Sequence, residues 1–228
     1  MTPATAPHRA YLRRRGRLTT AQARALDELS PRYLVDLPDT DMGADFWLDT
    51  FGRDGPLAIE TCFGNGAALV QFAKSRPTWN CLGVDVYRPG FGALMLACER
   101  DGIDNVHIAD SEVLSLLCRL EPGTVSRLSA LFPDPWPKKR HHKRRLVNGD
   151  FAAAVAACLE VDGTLHLATD WEDYASQMIE VLGAEPRLEG GVAARPERPV
   201  TPFEAKGLAR GRRVVDLAYR RVVTLQLS

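Results

Sequence analysis

Short apolar runs alternate with longer amphipathic stretches from residue 57 onward. The apolar runs predict five strands, over Leu57–Thr61, Cys81–Val86, Val106–Ala109, Leu128–Phe132 and Thr164–Ala168. The stretches between and after them predict five helices, over Ala67–Lys74, Phe91–Arg100, Glu112–Leu120, Phe151–Leu159 and Glu172–Leu182. Strands and helices that alternate in this way form a parallel sheet covered on both faces. The pattern therefore predicts an α/β, doubly wound, mostly parallel sheet.

The beginning of the chain does not follow this alternation. Residues 1–53 are predicted to form a basic N-terminal arm with a helix, appended to a single domain over residues 54–228. Phe46 and Trp47 are the expected packing contacts of the arm, because large aromatic side chains bury much apolar surface.

The end of the chain changes character twice. Residues 183–213 are rich in Pro, Gly and Arg, which predicts a long loop region. Val214–Leu227 contains β-branched and aromatic residues again, which are enriched in strands. We therefore expect a final antiparallel strand at the edge of the sheet.

Composition and charge are those of an ordinary globular protein, with 45% hydrophobic and 25% charged residues in 228. Lys plus Arg equals Asp plus Glu at 29 each, so the net charge alone does not indicate an anionic partner. The cations are clustered, however. Residues 8–17 contain five Arg, and residues 138–145 contain six Lys or Arg. The remainder of the chain is therefore acidic.

The five cysteines are widely spaced and form no C-x-x-C pair, so the sequence indicates neither disulfides nor a zinc site. A reducing cytoplasm is the expected compartment. No apolar run approaches the length of a membrane span, and no secretory signal is recognisable. The sequence leaves a monomer and a homodimer equally open.

Acidic residues lie at or just beyond the carboxyl ends of four successive predicted strands, at the sheet edge where open α/β folds bind ligands. They are Glu60, Asp85, Asp110 and Asp134. Gly64 and Gly66 follow Glu60 and allow a close turn, which could also be an ordinary strand-to-helix connection. A carboxylate in that turn repels the phosphates of a dinucleotide but suits a cationic ligand. The pattern therefore favours S-adenosylmethionine over NAD.

The segment from residue 133 to residue 145 carries the most chemical information. Three prolines, Pro133, Pro135 and Pro137, restrict the loop that holds Asp134 and Trp136. A planar base could stack on Trp136 while Asp134 accepts a hydrogen bond from it. The basic run that follows would contact phosphates. Such a run is by itself usually a solvated face or a localisation signal, but its position here favours an RNA-binding surface.

Polar residues also follow the fifth predicted strand. Thr169 is expected to cap the next helix, and Asp170 is a second candidate for that cap. His141 and His142 have no partners at metal-ligand spacing, so we interpret them as polar loop residues and expect no metal site.

With these residues considered together, the chain resembles the bacterial tRNA (guanine-N7-)-methyltransferases, which have the class I methyltransferase fold. The resemblance covers nearly the whole chain. It rests on Arg15–Thr19, Glu60–Gly66, Asp85–Pro89, Pro133–Arg145, Ala168–Glu172 and Thr201–Glu204, of which the Pro133–Arg145 block is the most specific.

The resemblance implies a seven-stranded sheet and a set of functional residues. Glu60, Asp85, Asp110 and Asp134 would line the S-adenosylmethionine site, with Asp134 also at the centre of catalysis. The tRNA contacts that it implies are made by Lys138, Asp170 and the segment Thr201–Glu204, which includes Phe203. The implied substrate is a guanine in the variable loop of tRNA.

Two residues depart from the family pattern, which usually has Gly at the position of Cys62 and Lys at the position of Pro202. Cys62 adds a side chain close to the cofactor, and Pro202 removes a cation and an N–H donor from a substrate segment. Two other functions stay open at this point. One is methylation of an exocyclic amino group, and the other is RNA binding without catalysis on the same fold.

Overall fold

A single seven-stranded sheet forms the centre of the protein, in a computed structural model that describes residues 16–196 and 198–223. The strands are β1 Leu57–Thr61, β2 Asn80–Asp85, β3 Val106–Asp110, β4 Val125–Leu131, β5 Leu159–Thr169, β6 Leu188–Ala193 and β7 Val215–Arg221. Their order in the sheet is β3-β2-β1-β4-β5-β7-β6. Strands β1 to β5 pair in parallel, while β7 runs antiparallel to both β5 and β6. The predicted fold class is confirmed.

Eight α-helices and one 3-10 helix accompany the sheet in the described residues. They are α1 Thr20–Tyr33, α2 Ala44–Phe51, α3 Ala67–Ser75, α4 Arg88–Asp101, α5 Val113–Leu117, the 3-10 helix Lys139–Arg144, α6 Gly149–Cys158, α7 Glu172–Gly183 and α8 Pro202–Leu208. Side-chain caps define several of their starts. Thr19 and Gln22 form a capping box at α1, and the Asn148 side chain accepts the Phe151 N–H at α6. None of these helices combines the length and the apolar character that crossing a membrane requires.

Two apolar clusters bury the two faces of the sheet. The larger one packs α5, α6 and α7 against β1, β4 and β5, and the smaller one packs α1, α3 and α4 against β1 to β3. Strand β1 lies between both clusters, and all five of its residues are buried. The continuous apolar character of the central strands follows from this double coverage.

The N-terminal segment lies against the β3 side of the sheet. Helix α1 packs on α4, where a Cβ on Gly92 would lie 2.8 Å from the Gln22 carbonyl oxygen. Trp47 is only 3% exposed and joins the larger cluster, with Phe46 edge-on to it at 4.8 Å between ring centroids. The expected packing role of these two aromatic residues agrees with this arrangement. Most of the Arg-rich start of the arm, residues 8–15, lies outside the described residues.

The prediction of a long loop over residues 183–213 is wrong. Strand β6 and helix α8 both lie within it. The strand contains Gly190 and Gly191, and a Cβ on Gly190 would lie 2.1 Å from the Ala218 carbonyl oxygen of β7. Glycine therefore permits the close approach of the two strands, although its intrinsic strand propensity is low. The expected final antiparallel strand is present as β7, but it does not lie at the edge, because β6 pairs with its outer side and forms the edge of the sheet.

Candidate active site

The turn after β1 is held in a tight, largely left-handed conformation. Gly64 and Gly66 have φ values of 60° and 77°, and Cys62 has a φ of 55°. Left-handed φ favours glycine and strains other residues, which gives a physical reason for the family preference for glycine at the position of Cys62. The turn is also crowded, because a Cβ on Gly90 would lie 2.0 Å from the Gly64 carbonyl oxygen.

Asp85 ties this turn to the end of β2. Its carboxylate accepts the N–H of Gly64 at 3.2 Å, of Val86 at 2.7 Å and of Tyr87 at 3.1 Å. Burial raises the pKa of Asp85, the three backbone donors oppose that rise, and the charge on Asp134 adds to it. Asp85 and Asp134 are therefore close enough to interact. Asp110 is the register neighbour of Asp85 on β3 and is exposed.

Glu60 lies deeper in the sheet than the other acidic residues. It is 5% exposed, and its register neighbour on β4 is Ser129, which in turn neighbours His166 on β5. Burial raises the pKa of Glu60 to about 8, and the charges of Arg127 and Arg198 oppose that rise. The carboxyl group is therefore largely protonated near neutral pH in the absence of a bound cation.

We expect the burial of Glu60 to make stability depend on pH. Between the ordinary Glu pKa of 4.5 and the folded value of about 8, unfolding releases a proton, so stability falls as pH rises through this window. The contribution is about 1.4 kcal/mol for each pH unit in the window. Urea unfolding of a Glu60→Gln variant should lack this loss, whereas the exposed Glu189→Gln control should retain it. An equal pH dependence in both variants would contradict the assignment.

The loop after β4 contains two further residues in the left-handed region. Phe132 has a φ of 54° and Trp136 a φ of 43°. Strained backbone of this kind is found mostly where a site requires it. The guanidinium of Arg198 lies 5.4 Å from the centroid of the Phe132 ring. Asp134 stands half-buried between these two strained residues, at the same sheet edge as Asp85.

Trp136 is packed against the basic segment that follows it. The Arg144 guanidinium lies 5.0 Å from its ring centroid, and the His141 ring is perpendicular to it at 5.9 Å. The cation over the ring fixes the indole orientation. Its N–H is buried and has no acceptor among the described residues. A base that stacks on Trp136 would therefore meet a ring already held in place.

The basic run 138–145 does not form one uniform surface. Lys138, Lys139, Arg140 and Lys143 are exposed, and we call these four residues the 138–143 basic surface. Arg145, in contrast, has a side chain only 2% exposed and donates to Asp173 at 2.6 Å, to Gln177 at 2.8 Å and to the Pro135 carbonyl at 2.8 Å. Its inclusion among the phosphate-contacting cations is wrong, because its donors already bind protein acceptors. Arg145 instead fastens the loop to α7.

The residues after β5 also differ from expectation. Thr169 does not cap α7, because the helix begins at Glu172 and its N-cap is Trp171. The Thr169 hydroxyl accepts the Trp171 N–H at 3.3 Å and closes a turn before the helix. Asp170 receives a hydrogen bond from Arg212 at 2.9 Å, and that guanidinium stacks on Trp171 at 4.4 Å.

Helix α8 carries the substrate segment implied by the resemblance. The Thr201 hydroxyl caps it by accepting the Glu204 N–H at 3.2 Å. Pro202 stands at the first helical position, where a missing N–H costs nothing. Phe203 is 57% exposed. One edge of its ring lies 3.3 Å from the position that a Cβ on Gly64 would occupy. Helix α8 therefore reaches the turn after β1.

Glu204 points away from solvent. Both of its carboxylate oxygens accept hydrogen bonds from Arg195, at 3.1 and 3.2 Å, and one also accepts from Arg198 at 2.5 Å. Burial raises the pKa of Glu204, but the two arginines outweigh it and leave the pKa lowered. Arg198 continues to Asp216 on β7 at 3.0 Å. Glu204 is thus part of a buried ion-pair network.

Sequence reasoning missed the members of this network other than Glu204. Asp216 had a usable signal, since it is a single acidic residue within an apolar strand. Arg198 and Arg195 had none, because they belong to the segment interpreted as a loop. The described residues contain no group of three or more His, Cys, Asp or Glu side chains able to hold a metal ion.

Comparison with known proteins identifies the family of the chain. A family described as a putative methyltransferase matches residues 54–217. The chain is 48% identical to a tRNA (guanine-N(7)-)-methyltransferase of Ralstonia nicotianae, over 93% of this chain and 86% of that protein. It is 45% identical to the enzyme of the same name from Alkalilimnicola ehrlichii, over 94% and 93% of the two chains.

Solved structures that resemble the protein have the same fold at low identity. A variant of a 16S rRNA (adenine(1408)-N(1))-methyltransferase from Catenulisporales acidiphilia, with its cosubstrate SAM, has a TM-score of 0.56 at 16% identity, over 83% of this chain and 96% of that chain. An aminoglycoside resistance methyltransferase has a TM-score of 0.54 at 12% identity, over 80% and 95%. The sequence relationships establish more than the fold, and the chain belongs to the tRNA (guanine-N7-)-methyltransferase family.

Proposed function

We propose that the protein transfers a methyl group from S-adenosylmethionine to N7 of a guanine in the variable loop of tRNA, in the cytoplasm. The observation that carries this proposal is the loop after β4. It joins Asp134, which interacts with Asp85, to Trp136 and then to the 138–143 basic surface. One continuous segment thus links the proposed cofactor-binding edge of the sheet at Asp134, an aromatic ring for stacking at Trp136, and a set of exposed cations.

The residues at the edge suit a cationic nucleoside cofactor. Asp85 and Asp110 end adjacent strands and offer carboxylates to ribose hydroxyls, while Glu60 lies near the turn of Gly64 and Gly66. A buried carboxyl group with a raised pKa ionises more readily when a positive charge binds beside it. S-adenosylmethionine, when bound, supplies a methyl group on a sulfonium. We assign these five residues, with Asp134, to its binding.

The main catalytic task of the protein is to align guanine N7 with the methyl group, because N7 carries a lone pair and no proton. No general base is needed. Holding the nucleophile in line can lower the barrier by roughly 7 to 11 kcal/mol. Asp134 orients the base and balances the positive charge that develops on it.

On the substrate side we assign direct roles to the exposed or half-exposed groups. Trp136 stacks on the base, Lys138 contacts phosphate, and Phe203 covers the turn at Gly64. Asp170 and Glu204 serve the substrate indirectly, because their carboxylates bind Arg212 and the pair Arg195 and Arg198. Thr201 acts in the same indirect way, since its hydroxyl caps α8.

The test of the proposal is to incubate the protein with an unmodified tRNA transcript and methyl-labelled cofactor, and then to identify the labelled nucleoside and its position. We expect 7-methylguanosine in the variable loop. A label on an exocyclic amino group would favour the alternative methylation chemistry. Binding of tRNA without any methyl incorporation would favour a non-catalytic RNA-binding protein.

Cofactor choice gives a separate prediction. Calorimetric titration should show binding of S-adenosylmethionine and of its demethylated product, with no comparable binding of NAD. The physical reason is that the carboxylates of Asp85 and Asp134 at this edge repel the pyrophosphate of a dinucleotide. The buried Glu60 adds to the preference, because its ionisation is favoured by a cationic ligand and opposed by an anionic one. Tighter binding of NAD than of S-adenosylmethionine would overturn the cofactor assignment.

A further inference from the structure

A second group of exposed cations lies at the same edge of the sheet as the loop after β4. Residues 206–213 contain four cations and no acidic residue. Arg212 is bound to Asp170, but Lys206, Arg210 and Arg213 are exposed and form no ion pair with any described residue. We call these three residues the α8 basic surface. In a chain with equal numbers of acidic and basic residues, it is a local excess of positive charge.

The contacts of α8 place this surface over the reaction site. At one end Phe203 reaches Gly64 in the turn after β1. At the other end a Cβ on Gly207 would lie 2.6 Å from the Asp170 carboxylate after β5. Because β4 lies between β1 and β5 in the sheet, α8 crosses the end of the strand from which Asp134 emerges.

Arg212 holds the segment that follows α8 against the end of β5. Its guanidinium binds Asp170 at 2.9 Å and stacks on Trp171 at 4.4 Å. Arg210 and Arg213 flank this fixed residue. Their positions at the site therefore depend on a contact with the end of β5.

The apolar neighbours of these cations indicate the kind of partner. Phe203 and Leu208 on α8 are 57% and 51% exposed, and the Lys206 ammonium lies 6.0 Å from the Phe203 ring centroid. Cations interleaved with an exposed aromatic ring are typical of surfaces that follow a nucleic-acid backbone and stack its unpaired bases. An acidic protein partner would satisfy the charges but has no need for the exposed ring.

We propose that the α8 basic surface is a second phosphate-binding surface for the substrate RNA, in addition to the 138–143 basic surface. This inference rests on the proposed function. An enzyme that acts on a base of structured RNA must hold the backbone while the base leaves its stack. Backbone contacts from two separate segments, one after β4 and one on α8, hold the target nucleotide more firmly than contacts from one.

The experiment compares two triple variants that remove the same charge. The first is Lys206→Ala, Arg210→Ala and Arg213→Ala. The matched control is Lys74→Ala, Arg76→Ala and Arg100→Ala, which removes three exposed cations at the C-terminal ends of α3 and α4, on the opposite edge of the sheet. The affinity for an unmodified tRNA transcript is measured from 50 to 200 mM salt, together with single-turnover methylation.

The α8 triple variant should bind tRNA at least tenfold more weakly at low salt. The slope of log affinity against log salt should fall by about one unit for each lost phosphate contact. The control triple variant should match the wild type. A charge-conserving variant with Lys206→Arg, Arg210→Lys and Arg213→Lys should keep the wild-type slope, which separates loss of charge from loss of fold.

An unchanged affinity and slope in the α8 triple variant would overturn the inference and identify a solvated face. An equal loss in both triple variants would also overturn it, because the effect would then be one of net charge. If the wild-type protein neither binds nor methylates tRNA, the proposed function itself is wrong, and the inference that rests on it is wrong as well.

Discussion

Replacement of Asp134 by Asn is expected to slow methyl transfer on the order of a hundredfold or more, which is the usual cost of losing one preorganised polar interaction in a transition state. The substitution keeps the size of the side chain and removes its charge. Phe132 and Trp136, both in the left-handed region, and the prolines on either side of Asp134 fix where that charge stands. An amide at the same place could still bind the base but could not balance the developing positive charge.

The measurement that isolates this step is single-turnover methylation at saturating tRNA and cofactor. Loss of binding alone would mainly raise KM, whereas loss of transition-state stabilisation lowers the rate at saturation. Asp162→Asn is the matched control, because Asp162 is exposed, is ion-paired to Arg220 and lies near the start of β5, at the end of the strand away from Asp134. That variant should retain the wild-type rate. An unchanged rate in Asp134→Asn would make Asp134 structural and direct the search for the catalytic group first to Asp170.

A pH shift should accompany the same substitution. The charge on Asp134 contributes to the raised pKa of Asp85, so its removal lets the pKa of Asp85 fall toward the ordinary value. A titration of Asp85 followed by carboxyl-selective NMR would detect this change.

The parts of the fold that the sequence could predict are those encoded by local patterns. Strands β1 to β3 are short, mainly apolar runs with an acidic residue at or next to their last position, and the structure reproduces them to within one residue. The loop around Asp134 was predictable because its prolines act locally on the backbone. Strand β5 begins five residues before its predicted start, since Glu160 and Asp162 interrupt its apolar pattern.

The parts that could not be predicted depend on contacts between distant residues. Arg145 belongs to the basic run 138–145, and its contacts with Asp173 and Gln177, 28 and 32 residues later, distinguish it from its exposed neighbours. The resemblance assigns Glu204 to the substrate, while its burial depends on Arg195 and Arg198 in a segment without any regular pattern. Helix α8 itself has seven residues, too few to show a helical period.

Truncation of Arg198 to Met should lower the free energy of unfolding by about 3 to 5 kcal/mol, the usual cost of removing one partner of a buried ion pair. The Arg198 side chain is 6% exposed and joins Glu204 to Asp216, whose side chains are 3% and 4% exposed. After truncation Asp216 loses its arginine donors. His166, 3.6 Å away, replaces them poorly, because burial lowers its pKa to about 4 and leaves it neutral near pH 7.

Urea unfolding near pH 7 measures this loss, and Arg220→Met is the matched control. Arg220 lies on the same strand as Asp216 and pairs with Asp162 and Glu189, but all three side chains are exposed. Its truncation should therefore cost less than about 1 kcal/mol.

A triple variant with Arg198→Met, Glu204→Gln and Asp216→Asn should recover much of the stability, because it leaves no uncompensated buried charge. Equal losses in Arg198→Met and Arg220→Met would show that the network does not hold α8 to the sheet. Since Arg198 also lies over Phe132, the loss in Arg198→Met should reach the loop of Asp134 and slow single-turnover methylation, whereas Arg220→Met should leave that rate unchanged.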